Sequence, residues 1–146
     1  MSMAQAQAER STCARAQVGV VIAREGRVLV TGYNGAPAGL PHCDHSQDEE
    51  SGIHHGRRST DGVTPVAGCT VAVHAEANAI AYAARFGVAL SGAALYTTYS
   101  PCLACAQIVI NSGIDRVIAL KEYRIQDGVD LIRAAGLSMD FFMDVR

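Results

Sequence analysis

The chain has 146 residues, 49% of them hydrophobic and 18% charged, with a formal net charge of −2. That is enough for one domain with its own core, and it argues against a broad basic nucleic-acid surface. Aromatics at 5% with no Trp leave no stacking platform for single strands.

In chain order, residues 4–16 (AQAQAERSTCARA) favour helix by propensity. VGVVIA (18–23) and RVLVTGY (27–33) read as two strands joined by a turn around Gly26. Regular patterning then stops. Residues 35–68 hold three Pro, six Gly and four of the five His, an irregular stretch of a length that is usually functional or braced. CTVAV (69–73) is a short strand or extended lead-in. HAEANAIAYAARFG is a helix with Gly87 as its C′ residue. AALYTTY (93–99) is a strand, and Ser100 and Pro101 are expected as N-cap and first residue of the next helix, closed by Gly113. DRVIAL (115–120) is a strand, 127–136 a helix and LSMDFF (137–142) a last strand. Two antiparallel strands followed by strand–helix alternation predict one α/β domain over 1–146. Its five-stranded mixed sheet should carry helices on both faces, with an irregular insertion at about 35–69.

No apolar run reaches membrane-spanning length, and MSMAQAQAERS lacks the apolar core of a signal peptide, so a cytoplasmic protein is expected. Five cysteines in a reducing compartment are then more often ligands, nucleophiles or buried thiols than disulfides. Two of the predicted helices open on ligand-type residues. One begins at His74. The other carries Cys102 and Cys105, which three residues apart in a first turn point to one side and can reach one metal. His74 supplies a third ligand, and three protein ligands leave a tetrahedral zinc one open position, the catalytic arrangement. Helix N-termini favour the thiolate form. Glu76, beside the metal rather than on it, is placed to move protons. Taken alone, His74 also fits a capping or core role, and PCLAC also fits a thioredoxin-like redox motif. The combination decides: H-x-E followed by P-C-x-x-C is the known signature of zinc nucleobase deaminases.

Over nearly its whole length the chain resembles the cytidine and deoxycytidylate deaminase family, its deoxycytidylate branch in particular. The resemblance rests on STCARAQVGVVIAREGRVLVTGYNGAPAGLPHC, HAEANAIAYAARFG and LYTTYSPCLACAQIVINSGIDRVI. GYNGAPAG separates it from the transfer-RNA adenosine deaminases. It implies a three-layer α/β/α sandwich and a hydrolase that converts dCMP to dUMP and ammonia, supplying dUMP for thymidylate synthesis. His74, Cys102 and Cys105 match the zinc ligands. Glu76 matches the proton shuttle, which protonates N3 and then the departing amine while water attacks C4. Asn34, Tyr123 and the backbone of Ala75 and Ser100 match substrate contacts. Gly32, Tyr33, Asn34 and Gly35 match a regulatory nucleotide site where dCTP activates and dTTP inhibits, with Mg²⁺ as the effectors' companion; they also read simply as turn residues. A homo-oligomer, a hexamer, is expected, with no membrane or stable nucleic-acid partner.

Many relatives brace cysteines at positions matching Cys13, Cys43 and Cys69 with a second, structural zinc. His42, His45, His54 and His55 are candidates for the fourth ligand, and three buried thiols are the alternative. Arg57, Arg58 and Arg124 are candidates for phosphate recognition, or ordinary solvated side chains. Two rival functions remain. One is the same chemistry on dCTP, a modified dCMP or a cytidine nucleoside. The other is a zinc-stabilised binding module without catalysis, in which Glu76 has no task.

Overall fold

The computed structural model describes residues 1–43, 69 and 71–142. Its elements are α1 (Ser2–Ala8), β1 (Gly19–Arg24), β2 (Arg27–Tyr33), α2 (Ala75–Phe86), β3 (Ala94–Tyr99), α3 (Leu103–Asn111), β4 (Arg116–Lys121), α4 (Asp127–Ala134) and β5 (Ser138–Phe141). The strands form one sheet in the order β2-β1-β3-β4-β5. β1 runs antiparallel to β2 and β3, whereas β3, β4 and β5 are mutually parallel. The mixed five-stranded α/β sheet expected from the sequence is therefore present. Among the described residues, no helix is long and apolar enough to cross a membrane.

Side-chain alternation along the strands separates the two faces. Val20, Ile22, Val30, Leu95, Val117 and Met139 share one face and form the buried core with Ala75, Ala79 and Ala83 of α2, Ala106 and Val109 of α3, and Val129 and Ile132 of α4. Each large apolar side chain buried there stabilises the fold by roughly 1.5–3 kcal/mol. The alanines on α2 explain its composition: a methyl is all that fits where the helix lies close on β1 and β2. The other face takes α1, whose Ala4 and Ala8 backbone lies directly on Gly19. Helices thus cover both faces, three on one side and α1 on the other.

Register places the functional end of the sheet. Gly19 of β1 pairs with Tyr33 at the end of β2, Val20 pairs with Thr97, and Tyr99 pairs with Lys121. The start of β1 and the carboxyl ends of β2, β3 and β4 therefore lie together. This is the end of an open α/β sheet where ligands bind. Gly35, just past β2, is bridged to Val73, with Gly35 N–H donating to Val73 C=O (3.2 Å) and Val73 N–H donating to Gly35 C=O (2.8 Å). That bridge brings the GYNG segment next to His74 across forty residues of chain. Residues 71 and 72 form a bend and Val73 makes a single bridge, so the described part of this lead-in is not a strand of the sheet.

Two helix boundaries depart from expectation. α1 ends at Ala8 rather than continuing to 16. Beyond it Ser11 Oγ donates to Asn34 C=O (2.9 Å), Thr12 N–H donates to the same carbonyl (3.3 Å) and Cys13 bridges to Cys43. These long-range polar contacts override a weak local helix propensity. α3 begins at Leu103 with Cys102 as N-cap, not at Pro101 with Ser100 as N-cap. Ser100 is committed elsewhere: its N–H donates to Lys121 C=O (2.8 Å) and its Oγ accepts from Tyr123 N–H (2.8 Å). Gly87 caps α2 in the left-handed conformation, as expected.

Two close approaches hold the helix starts in place. A Cβ on Gly32 would lie 2.5 Å from Ala75 C=O and 2.9 Å from the Ala79 methyl, so β2 accepts the first turn of α2 only because residue 32 has no side chain. Gly128 does the same for α4, which presses against the backbone of Pro101 and Cys102. We expect Gly32→Ala to destabilise the protein by about 2 kcal/mol, the usual cost of overpacking a tight contact, read as a lowered urea midpoint; an unchanged midpoint would show that α2 is free to move off the sheet.

Candidate metal centre and active-site cleft

His74 is the N-cap of α2 and Cys102 the N-cap of α3, and Cys105 lies in the first turn of α3. The His74 side chain makes no capping bond to its own helix, and it and Cys102 turn toward each other. His74 Nδ1 lies 3.5 Å from Cys102 Sγ and 3.4 Å from Cys105 Sγ. Metal–nitrogen bonds of about 2.0–2.1 Å and metal–sulfur bonds of about 2.3 Å at a tetrahedral angle place nitrogen and sulfur roughly 3.5 Å apart. The three donors are therefore already spaced as zinc ligands.

The electrostatics agree with that spacing. The hydrogen bond from Cys105, followed by that from His74, pulls Cys102 down to about 4, so it stands as a thiolate. Cys105 keeps the shared proton, pushed up by its bond to the Cys102 sulfur and by burial. His74 is raised chiefly by its bond to Cys102. A dication is the species such a group recruits, and its arrival displaces the remaining thiol proton.

Glu76 is only 4% exposed. Burial pushes its carboxyl upward, against the pull of the His74 charge. Thr97, fully buried, sits beneath it at 3.5 Å from Oε1 and donates its hydroxyl proton to Tyr99 C=O at 2.8 Å. A carboxyl lifted in this way holds and releases a proton closer to neutral pH, as a general acid–base must.

These groups open into a cleft of about 240 Å³, lined by His74, Ala75, Glu76 and Cys102 together with Asn34, Ser100 and Tyr123. All four residues matched to substrate contacts thus stand on the cleft with His74 and Cys102. Ala75 opens α2, where a backbone N–H has no intrahelical acceptor. Ser100 holds Tyr123 through its hydroxyl. Asn34 is braced: Oδ1 accepts from Val18 N–H (2.7 Å) and Nδ2 donates to Ala16 C=O (2.8 Å). One amide hydrogen and one lone pair are left for a ligand. Gly32, Tyr33 and Gly35 do not line the cleft. Tyr33 lies on the α1 side, with the Arg10 guanidinium 5.1 Å from its ring centre.

The Cys13, Cys43 and Cys69 sulfurs lie within 4.8 Å of one another. Ala72 N–H donates to Cys69 Sγ (3.3 Å). Burial raises Cys69, but the Ala72 and Val71 N–H groups outweigh it and lower the thiol, whereas burial pushes Cys43 up to about 12. Of the four histidines named for this site, His42 is exposed and stands outside the three-thiol group. His45, His54 and His55 lie outside the described residues, as do Arg57 and Arg58.

Two features in and beneath the cleft escaped the sequence reading. Thr97 occupies a core-facing position of β3 in phase with Leu95, and a polar residue on the buried phase of a strand was the available signal. Arg15 lines the cleft from a segment that propensity assigned to helix.

The family described as the cytidine and deoxycytidylate deaminase zinc-binding region matches residues 1–121. The chain is 45% identical over 122 residues to the deoxycytidylate deaminase of Mycobacterium phage D29, covering 84% of this chain and 91% of that protein. It is 33% identical to the deoxycytidylate deaminase of Enterobacteria phage T4, over 90% of this chain and 81% of that protein. Among solved structures it is similar to the dCMP deaminase of cyanophage S-TIM5 in complex with dCMP and dUMP. The TM-score there is 0.76 at 27% identity, over 97% of this chain and 92% of that one. A metal-ligand triad beside a buried carboxyl and these likenesses lead to one conclusion: the chain belongs to the cytidine and deoxycytidylate deaminase family.

Proposed function

We propose that this protein hydrolyses dCMP to dUMP and ammonia, with residues 1–146 acting as one deaminase domain around an irregular insertion at about 35–69. The observation that carries the reading is the placement of Glu76, buried in the cleft that His74 and Cys102 line, whose nitrogen and sulfur stand with the Cys105 sulfur at zinc-ligand spacing. His74, Cys102 and Cys105 would hold the metal. Zinc, when bound, lowers the pKa of the attacking water.

The protein's own groups do the remainder. Glu76 takes a proton from the water that adds to C4 and gives it to N3 of the cytosine. It then carries the second water proton to the exocyclic amine, which leaves as ammonia while the C4–oxygen double bond forms. One water is consumed and no redox partner is needed. The Ala75 and Ser100 backbones and Asn34 orient the pyrimidine, and Tyr123 walls the cleft.

Several finer features belong to the same proposal. A second, structural zinc on Cys13, Cys43 and Cys69 would pin the segment leading into α2, its fourth ligand coming from outside the described residues. Supporting it are the sulfur spacing and the N–H···S bond to Cys69. Gly32, Tyr33, Asn34 and Gly35 would contribute to an effector site for dCTP and dTTP with Mg²⁺, supported by the stacking of Arg10 on Tyr33 away from the cleft. A homo-oligomer, a hexamer by likeness to the family, is supported by the exposed ring pair Tyr82 and Phe86 on α2, with centroids 4.5 Å apart.

Three outcomes are expected. Purified zinc-loaded protein should release ammonia from dCMP faster than from dCTP, CMP, deoxycytidine or cytidine; a different order reassigns the substrate, and release from none removes the enzymatic reading. Glu76→Gln should lower turnover by about 10²–10⁴-fold, the usual contribution of a positioned acid–base, while zinc content and circular dichroism stay unchanged. Elemental analysis should find two zinc ions per chain, and one per chain would remove the structural site.

A further inference from the structure

Two members of the three-thiol group, Cys13 and Cys69, line the active-site cleft together with Asn34, His74 and Glu76. With Cys43 their sulfurs all lie within 4.8 Å of one another, and none of the three is joined in a disulfide. Access differs among them. Cys13 and Cys43 are 3% and 6% exposed, whereas Cys69 is half-buried. A small polar reagent that enters the cleft therefore meets the Cys69 sulfur before the other two.

Both cleft-lining thiols belong to segments that the site depends on. Cys13 stands in the link between α1 and β1. Its N–H donates to Ser11 Oγ (3.2 Å), and the Asn34 side chain holds the same link at Ala16 and Val18. Cys69 stands five residues before His74. Its sulfur accepts from Ala72 N–H (3.3 Å), and Val73 bridges that segment to Gly35. One thiol is thus on the link that Asn34 braces, the other on the segment that leads into the metal cluster. Cysteines whose sulfurs already neighbour one another need little backbone movement to bond.

We propose that Cys69 and Cys13 form an oxidation site in the wall of the cleft: hydrogen peroxide entering there converts them to a disulfide, and the disulfide weakens substrate binding. The Cys69 sulfur attacks one peroxide oxygen. The O–O bond breaks, one water leaves and Cys69 becomes a sulfenic acid. The Cys13 sulfur then attacks the Cys69 sulfur, the S–O bond breaks and a second water leaves. The two thiols give up two electrons and two protons, and the peroxide takes both. A small thiol reverses the modification by disulfide exchange. The new bond draws the α1–β1 link toward the lead-in of α2. Asn34 is bonded to that link through both its amide atoms, so the side chain matched to substrate moves with it. Disulfide formation itself goes beyond the deaminase reading; only its effect on substrate rests on that reading.

Peptide mapping of the full-length zinc-loaded protein after peroxide treatment and alkylation tests the pair. Of the five cysteines of the chain, two should be lost to thiol titration in denaturant, the digest should contain a Cys13–Cys69 link, and dithiothreitol should restore all five. No disulfide, a disulfide that leaves out Cys69 or joins it to Cys43, or earlier oxidation at Cys102 or Cys105 would overturn the proposal. Cys69→Ser, with circular dichroism matching the parent, should form no disulfide under the same treatment; a Cys13–Cys43 link there would show that attack does not begin at Cys69. Oxidation should raise KM for dCMP by roughly tenfold, the scale of one disturbed hydrogen bond, with a smaller change in kcat and full recovery on reduction. A loss confined to kcat would overturn the effect on binding. In Glu76→Gln protein, dCMP held in the cleft should slow disulfide formation, and an unchanged rate while calorimetry shows dCMP bound would overturn the route through the cleft. Failure of dCMP to bind or to release ammonia counts against the deaminase reading and leaves the disulfide map standing. Zinc analysis separates the pair from the structural metal. A disulfide sulfur is no longer a thiolate ligand, so an unchanged zinc count after oxidation removes the structural zinc and not the pair.

Discussion

The structure depends on one constraint: an imidazole nitrogen must stay about 3.5 Å from each of two sulfurs although they come from the starts of two helices. Two thiols and an imidazole have no reason to crowd together in a reducing solvent unless a cation is to join them. Much of the local architecture keeps that cluster in place. Gly32 lets α2 press its first turn on β2, and Gly128 lets α4 press on the backbone before α3. Ser100 turns away from the role of helix cap to hold the end of β4, leaving Cys102 to open the helix.

Burying Glu76 works against stability, because a carboxyl removed from water favours its neutral form. Its neighbour Thr97 relieves little of this, since its hydroxyl lies 2.8 Å from Tyr99 C=O but 3.5 Å from Glu76 Oε1. The cost is tolerated where the group must carry protons rather than remain charged. The same sheet end then supplies the rest of the cleft, because register places the start of β1 and the ends of β2, β3 and β4 side by side.

The sequence revealed most about the elements with strong local chemistry. Strand alternation and the glycines after β1, α2, α3 and α4 marked the strands and the chain order of the elements. HAE and PCLAC marked the metal cluster because both halves are short, local and rarely joined by chance. What remained hidden was set by distant contacts. α1 stops at Ala8 because Ser11 and Thr12 find Asn34. Ser100 fails as a cap because Tyr123 and Lys121 claim it. Arg15 is indistinguishable from a surface arginine until the link carrying it is seen folded over the cleft. Asn34, matched to a substrate contact, proves also to be the brace of that link. This second task is a contact between segments that spacing alone does not encode.

The source of the oxygen in the product tests hydrolytic deamination most directly. Zinc-loaded protein incubated with dCMP in isotopically heavy-oxygen water should yield dUMP carrying one heavy oxygen at C4, with one ammonia released per dUMP formed. Formation of dUMP without the label, or no consumption of dCMP while the metal is bound, would contradict hydrolytic deamination in this cleft.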